Sequence, residues 1–184
     1  MILKRGVTGF TGGDLSLERD WEAYRTEFKK CCYSYVQQIN GRVLAWYEPD
    51  IDIHYAHAHV EINEEAFYIF HNHIYDYVAF ALVSTSDRHV SGLKFIDYPL
   101  LKVLFEKHYE VLTVRQLEES LVRQAKDSGK IILNNDVPND VLNRNDYCDN
   151  YILMNENDLN DVELRFMNYY WSQTVGELVF NYWD

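Results

Sequence analysis

The hydrophobic positions change their period twice along the chain. From Leu17 they recur in steps of three and four, at Leu17, Trp21, Tyr24, Phe28, Cys31, Tyr35 and Ile39. That spacing lines one face of an amphipathic helix. Ser16 stands where a side-chain cap is expected, and Gly41 stands where the helix should stop. Cys31 and Cys32 then fall on or beside the buried stripe as small apolar fillers. Ahead of the helix, Val7 to Gly13, with Gly9, Gly12 and Gly13, reads as a loop.

Past Gly41 the period drops toward two. Val43 to Trp46 reads as a short strand. Ile53 to Ile62 alternates, with Ala56, Ala58, Val60 and Ile62 on one side and His57, His59 and Glu61 on the other. Asn63-Glu64-Glu65 reads as a turn. Phe67 to His73 and Tyr75 to Ser84 follow as strands, the second apolar enough to be central in a sheet. Leu93 to Ile96 gives another strand after Gly92. Successive strands usually lie side by side, so an antiparallel meander is expected.

At Pro99 the longer period returns. Pro99 suits a first helical turn, and Leu100, Leu101, Leu104, Phe105 and His108 form a stripe. Thr113-Val-Arg-Gln116 is a capping box, predicting a helix through Leu117, Leu121, Val122 and Ala125 to Gly129, with Lys126 and Lys130 near its C-terminus. Beyond Asn134 the chain is rich in Asn and Asp, which favour turns. Two short strands are predicted there, near Tyr151 to Met154 and Val162 to Phe166. Thr174-Val-Gly-Glu177 is a second capping box before Leu178, Val179, Phe180 and Trp183. The expected fold is α+β, a single domain over residues 1–184. Its mainly antiparallel sheet of about four to six strands is packed by an N-terminal helix and a middle helical pair.

The 184 residues are 47% hydrophobic and 25% charged, the balance of an ordinary globular domain. Charge changes the picture more. A net charge of −12 repels phosphate backbones and anionic membranes, so direct nucleic-acid or membrane binding is not expected and a basic partner is. The charge is also uneven. The last 51 residues hold ten acidic side chains and two basic ones, against 19 and 15 in the first 133. Asp146, Asp149, Glu156, Asp158, Asp161 and Glu163, with Tyr147 and Tyr151 among them, make the candidate partner-binding surface. Charges steer approach and aromatics anchor. The alternative is a solvated acidic face that serves solubility.

Candidate catalytic chemistry is thin. His57-x-His59 and His71-x-His73 each place two imidazoles on one face of a strand. If the turn centres on Glu65, His59 faces His71 and His57 faces His73, a set that suits Zn or another first-row metal, with His54 nearby. The alternatives are a pH-responsive cluster or a polar sheet face that happens to carry histidine. The three cysteines form no CxxC pair, which fits a reducing compartment. Cys31 and Cys32 are expected in the core, and Cys148 lies between Asp146 and Asp149, where carboxylates oppose thiolate formation. GxSxG, HExxH and GxxxxGK[ST] are absent. The expectation is a binder rather than an enzyme, without cofactor or catalytic residues. Met1-Ile-Leu-Lys-Arg is not followed by a signal-peptide apolar run, and Tyr77 to Val83 is too short to cross a bilayer, so a cytoplasmic location is expected.

The chain ends Thr174-Val-Gly-Glu-Leu-Val-Phe-Asn-Tyr-Trp-Asp184. This ending resembles the tails of small bacterial immunity proteins, the cognate inhibitors encoded beside contact-dependent growth-inhibition and related polymorphic toxins. The resemblance implies a protein that binds one toxin tightly in the cytoplasm and neutralises it. It also implies a structural tail in which Phe180 and Trp183 pack and Glu177 caps. Many toxins of this class are nucleases, and a nuclease carries a basic surface for its substrate. An acidic inhibitor covers such a surface. The competing readings are a metal- or His-dependent enzyme using His57, His59, His71 and His73, and an adaptor for another basic protein.

Overall fold

The computed structural model describes residues 1–10, 20–49, 54–83, 93–133 and 149–181. Helix α1 (Trp21–Gln38) carries the first predicted stripe, burying Phe28, Cys31, Cys32, Tyr35 and Val36. Its cap is Asp20, whose carboxylate accepts from the Ala23 N–H at 3.1 Å. Ser16 and Leu17 lie outside the described residues. At the other end Asn40 takes the left-handed conformation, with φ 59°. Gly41 is needed for a different reason: a Cβ there would sit 2.5 Å from Ile62 Cγ1 and 2.8 Å from Val36 Cγ1.

The meander is present. Strands β1 (Arg42–Tyr47), β2 (Tyr55–Ile62), β3 (Glu65–Asn72), β4 (Tyr77–Val83) and β5 (Leu93–Ile96) lie in sequence order, each antiparallel to the next. Strand β6 (Glu110–Val111) runs parallel to the start of β4. Ile53 and Ser84, at the ends of predicted strands, lie outside the described residues. The β2–β3 connection is the two-residue turn Asn63-Glu64, both with positive φ (52° and 67°), which places Ile62 opposite Glu65. Two left-handed residues match the right-handed twist of a hairpin.

Both faces of this sheet are covered. Ala56, Ala58, Val60, Ile62, Phe67, Ile69, Val78 and Phe80 pack under α1 and helix α2 (Pro99–Phe105), which contributes Leu101 and Phe105. On the other face Tyr55, Tyr68, Phe70, Tyr77, Ala79, Ala81 and Phe95 meet Leu3 and Val7 of the N-terminal segment. Helices α3 (Val114–Leu117) and α5 (Val175–Val179) close that layer through Leu117, Val175, Leu178 and Val179. Two covered faces account for the apolar run of β4, which is buried on both sides from Tyr77 to Ala81.

Two sequence expectations are corrected. The Thr113–Gln116 capping box is formed, but its helix lasts one turn. Arg123–Ala125 is strand β7, central in a second antiparallel sheet between β8 (Ile131–Ile132) and β9 (Tyr151–Leu153). Leu121, Arg123 and Ala125 are all buried, a period of two hidden because its middle member is an arginine. Lys126 and Lys130 therefore flank a strand connection rather than a helix end. The second correction is Val162 to Phe166, which belongs to helix α4 (Asp161–Tyr170). Its inward positions include Glu163 and Asn168, so no hydrophobic stripe marked it.

The tail packs as its ending suggests up to Asn181. Phe180 is buried, with ring centroids 5.7 Å from Phe70 and 6.3 Å from Phe95. Glu177 donates its N–H to Thr174 Oγ1, and its carboxylate accepts from the Gln173 N–H. Trp183 lies outside the described residues. Gly176 lies where a Cβ would run into the Phe95 ring edge. Gly176→Ala is expected to cost about 1–3 kcal/mol by overpacking, read as a lower thermal midpoint. An unchanged midpoint would show that α5 and β5 are not pressed together.

Candidate partner-binding surface

The acidic third is organised around α4, and the two ends of that helix are held by opposite charges. At the N-terminus Asn160 and Glu163 form a reciprocal capping box. The Glu163 carboxylate also accepts from Gly6 N–H at 2.9 Å, Thr8 N–H at 3.3 Å and Thr8 Oγ1 at 2.8 Å. Asn160 adds its N–H at 3.0 Å and Nδ2 at 2.9 Å. Carboxylate charge is favoured at a helix N-terminus, where the free N–H groups point outward.

At the C-terminus of α4 the Arg123 guanidinium donates to Met167 O, Ser172 O and Asn168 Oδ1. It lies 4.5 Å from the centre of the Trp171 ring. Burial lowers the Arg123 pKa to about 10, while Glu177 and Tyr151 pull it upward, so the group stays cationic at neutral pH. Cations are stabilised at this end of a helix and over aromatic faces.

These anchors decide which predicted residues face solvent. Asp149, Glu156, Asp158 and Asp161 are exposed. Glu163 is not: it is 0% exposed and serves the fold, so it leaves the candidate surface. Tyr151 is half-buried and meets Trp171 edge-on, with centroids 5.2 Å apart. Its outward neighbours are Ile152 and Met154 instead, a signal present in the alternation about buried Leu153. Asp146 and Tyr147 lie outside the described residues, as does Cys148. The N-terminal segment fixes the exposed stretch from below. Leu3 N–H donates to Glu156 O at 3.1 Å, and Asp158 N–H donates to Leu3 O at 2.8 Å.

The four-imidazole metal site does not form. Phe70 stands opposite His57 and Tyr68 opposite His59, while His71 stands opposite Ala56. The turn at Asn63-Glu64 slips the register by an odd number of residues from a turn at Glu65, which sends His71 to the other face. Among the described residues, no group of three or more His, Cys, Asp or Glu side chains is placed to hold a metal. His57 stacks on Tyr47 at 4.5 Å, and His71 on Phe28 at 4.3 Å across the sheet. Burial lowers His57 to about 4, with His59 adding to the effect. Burial also lowers His54 to about 4, against backbone bonds to Val179 and Val7. His73 falls to about 3 through burial, His54 and Arg25. The Cys32 thiol is pushed well up by burial and by Cys31.

No protein-family model, curated protein or solved structure matches the chain. Among the described residues no helix is long and apolar enough to cross a membrane.

Two outcomes follow from these geometries. Glu163→Gln removes the charge and turns an amide toward N–H donors, so it should cost about 2–3 kcal/mol, measured by denaturant unfolding. Wild-type stability would leave the carboxylate without a structural role. His54, His57 and His73 give a pH dependence. Their folded pKa values lie below the unfolded value near 6.5, so the unfolded chain binds the extra protons. Stability is full above about pH 6.5 and falls as pH drops toward 4, by on the order of 3 kcal/mol for His57 alone. His57→Phe should flatten that part of the profile. An identical pH profile in the variant would contradict the assignment.

Proposed function

We propose that this protein is an immunity protein, which binds a cognate bacterial toxin in the cytoplasm and neutralises it by covering a basic surface of the kind a nuclease presents. One observation carries the reading. Residues 149–161 contain four carboxylates and no Lys or Arg, and all four, Asp149, Glu156, Asp158 and Asp161, are exposed. The total charge of −12 and the resemblance of the C-terminal ending to immunity-protein tails support it.

The physical logic is polyanion mimicry. A cationic cleft that attracts phosphate attracts a field of carboxylates equally, and the inhibitor then excludes the nucleic acid. Opposite fields bring association to about 10⁸ M⁻¹s⁻¹ at low salt. Such speed suits a protein that must reach the toxin before its substrate does. Exposed carboxylates alone confer little affinity, because surface ion pairs are individually weak and screened. They act on the rate of encounter.

The test uses the toxin domain encoded beside the gene. Asp149→Lys combined with Asp158→Lys should slow association by about tenfold at low salt and flatten its salt dependence, with the thermal midpoint kept. Unchanged rate and salt dependence would remove the acidic surface from the mechanism. Failure of that toxin domain to bind the wild type would remove the reading itself.

A further inference from the structure

The small sheet presents an unusual outer face. Pairing sets Gln124 of the central strand between Ile131 and Ile152. The inward positions Arg123, Ala125, Ile132 and Leu153 are buried, with Ala125 and Ile132 packed on Trp171. The outward positions are Ile131, 46% exposed, and Ile152, 47% exposed. Two residues along each chain come Leu133 at 56% and Met154 at 50%. Strand alternation puts Ile131 and Ile152 on one side, and Leu133 and Met154 follow immediately beyond the ends of β8 and β9. An antiparallel sheet with one wet face normally carries polar residues there. A cluster of large aliphatic side chains in that place marks an interaction surface.

We propose that this face, centred on Ile152 and Met154, is the surface on which a basic protein partner docks. The inference rests on the immunity-protein reading and names the contact it uses. The sheet's flanks supply the complementarity. Asp149 precedes β9, Glu156 and Asp158 follow it, and Asp127 lies between β7 and β8. Lys126 and Lys130 are the exposed cations of the same connection, and Arg123 is buried beneath the sheet. An apolar centre beside a predominantly acidic rim fits a partner with aliphatic or aromatic side chains ringed by Lys and Arg. A second copy of this chain fits poorly, because it would set the same carboxylates, and −12 against −12, face to face. Tyr151, expected as an anchor, turns to Trp171, and Ile152 and Met154 take that role.

The two parts of the surface separate kinetically. Carboxylates set the association rate, and the apolar centre sets the dissociation rate. The test measures both rates against the toxin domain encoded beside the gene. Ile152→Asp with Met154→Asp should raise the dissociation rate by about 100-fold while changing association by less than about threefold. Ile152→Thr with Met154→Thr keeps strand propensity and should act in the same direction, guarding against misfolding. Leu100→Asp with Val103→Asp, in the exposed apolar pair of α2, is the control and should leave both rates unchanged. A toxin that binds wild type and both sheet variants with equal dissociation rates overturns this surface and leaves the proposed function standing. A toxin that does not bind the wild type overturns both. A wild-type dimer in sedimentation that Ile152→Asp converts to monomer gives the face to a second copy and overturns the proposal.

Discussion

A carboxylate with no exposed atom holds the molecule's second half to its first. Glu163 accepts bonds from Gly6 and Thr8 near the N-terminus and from Asn160 at the cap of α4. A buried charge is costly unless dipoles replace the water it lost. Here the replacement comes from backbone N–H groups, one hydroxyl and the N-terminus of α4. The N-terminal segment is fixed against the helix as a result. With it come Leu3, bonded to both sides of Asn157, and Thr8, whose carbonyl accepts from Asn181. The far end of α4 has the complementary arrangement, with Arg123 on the terminal carbonyls and under Trp171.

Under the proposed function this bracing has a consequence. The exposed carboxylates Glu156 and Asp158 lie between β9 and α4, with both flanks fixed by part-buried polar contacts. A rigid field of carboxylates loses less entropy on binding than a mobile one. The aromatic meander supplies the base on which this layer rests, through Phe70, Tyr55 and Phe180. Acid weakens the same junction, because burial keeps His54 neutral there even though its bond to the Val179 carbonyl favours the cation.

Much of the architecture was legible in the sequence. The α1 stripe, the strand succession, the Thr113 box and the Thr174 cap rest on local periodicity and short-range hydrogen bonds, which sequence records directly. Three features were not legible, each for a physical reason. The β2–β3 register depends on two left-handed residues, Asn63 and Glu64, with no glycine to announce them. Arg123 and Glu163 sit inside, so hydrophobicity assigned their segments to the wrong elements. The surface chemistry inverted for the same cause: Glu163 and Tyr151 turn inward, while Ile152 and Met154 turn out. The acidic character of the third was readable by counting, but its apolar centre emerged only from strand pairing.

In the proposed function, the layer built on β7, β8, β9 and the loop before α4 meets a basic toxin. Hydrogen–deuterium exchange on the complex with the neighbouring-gene toxin domain addresses it most directly. New protection is expected to concentrate on residues 123–133 and 149–158. Protection concentrated on α1 and α2, with that layer unchanged, would contradict it.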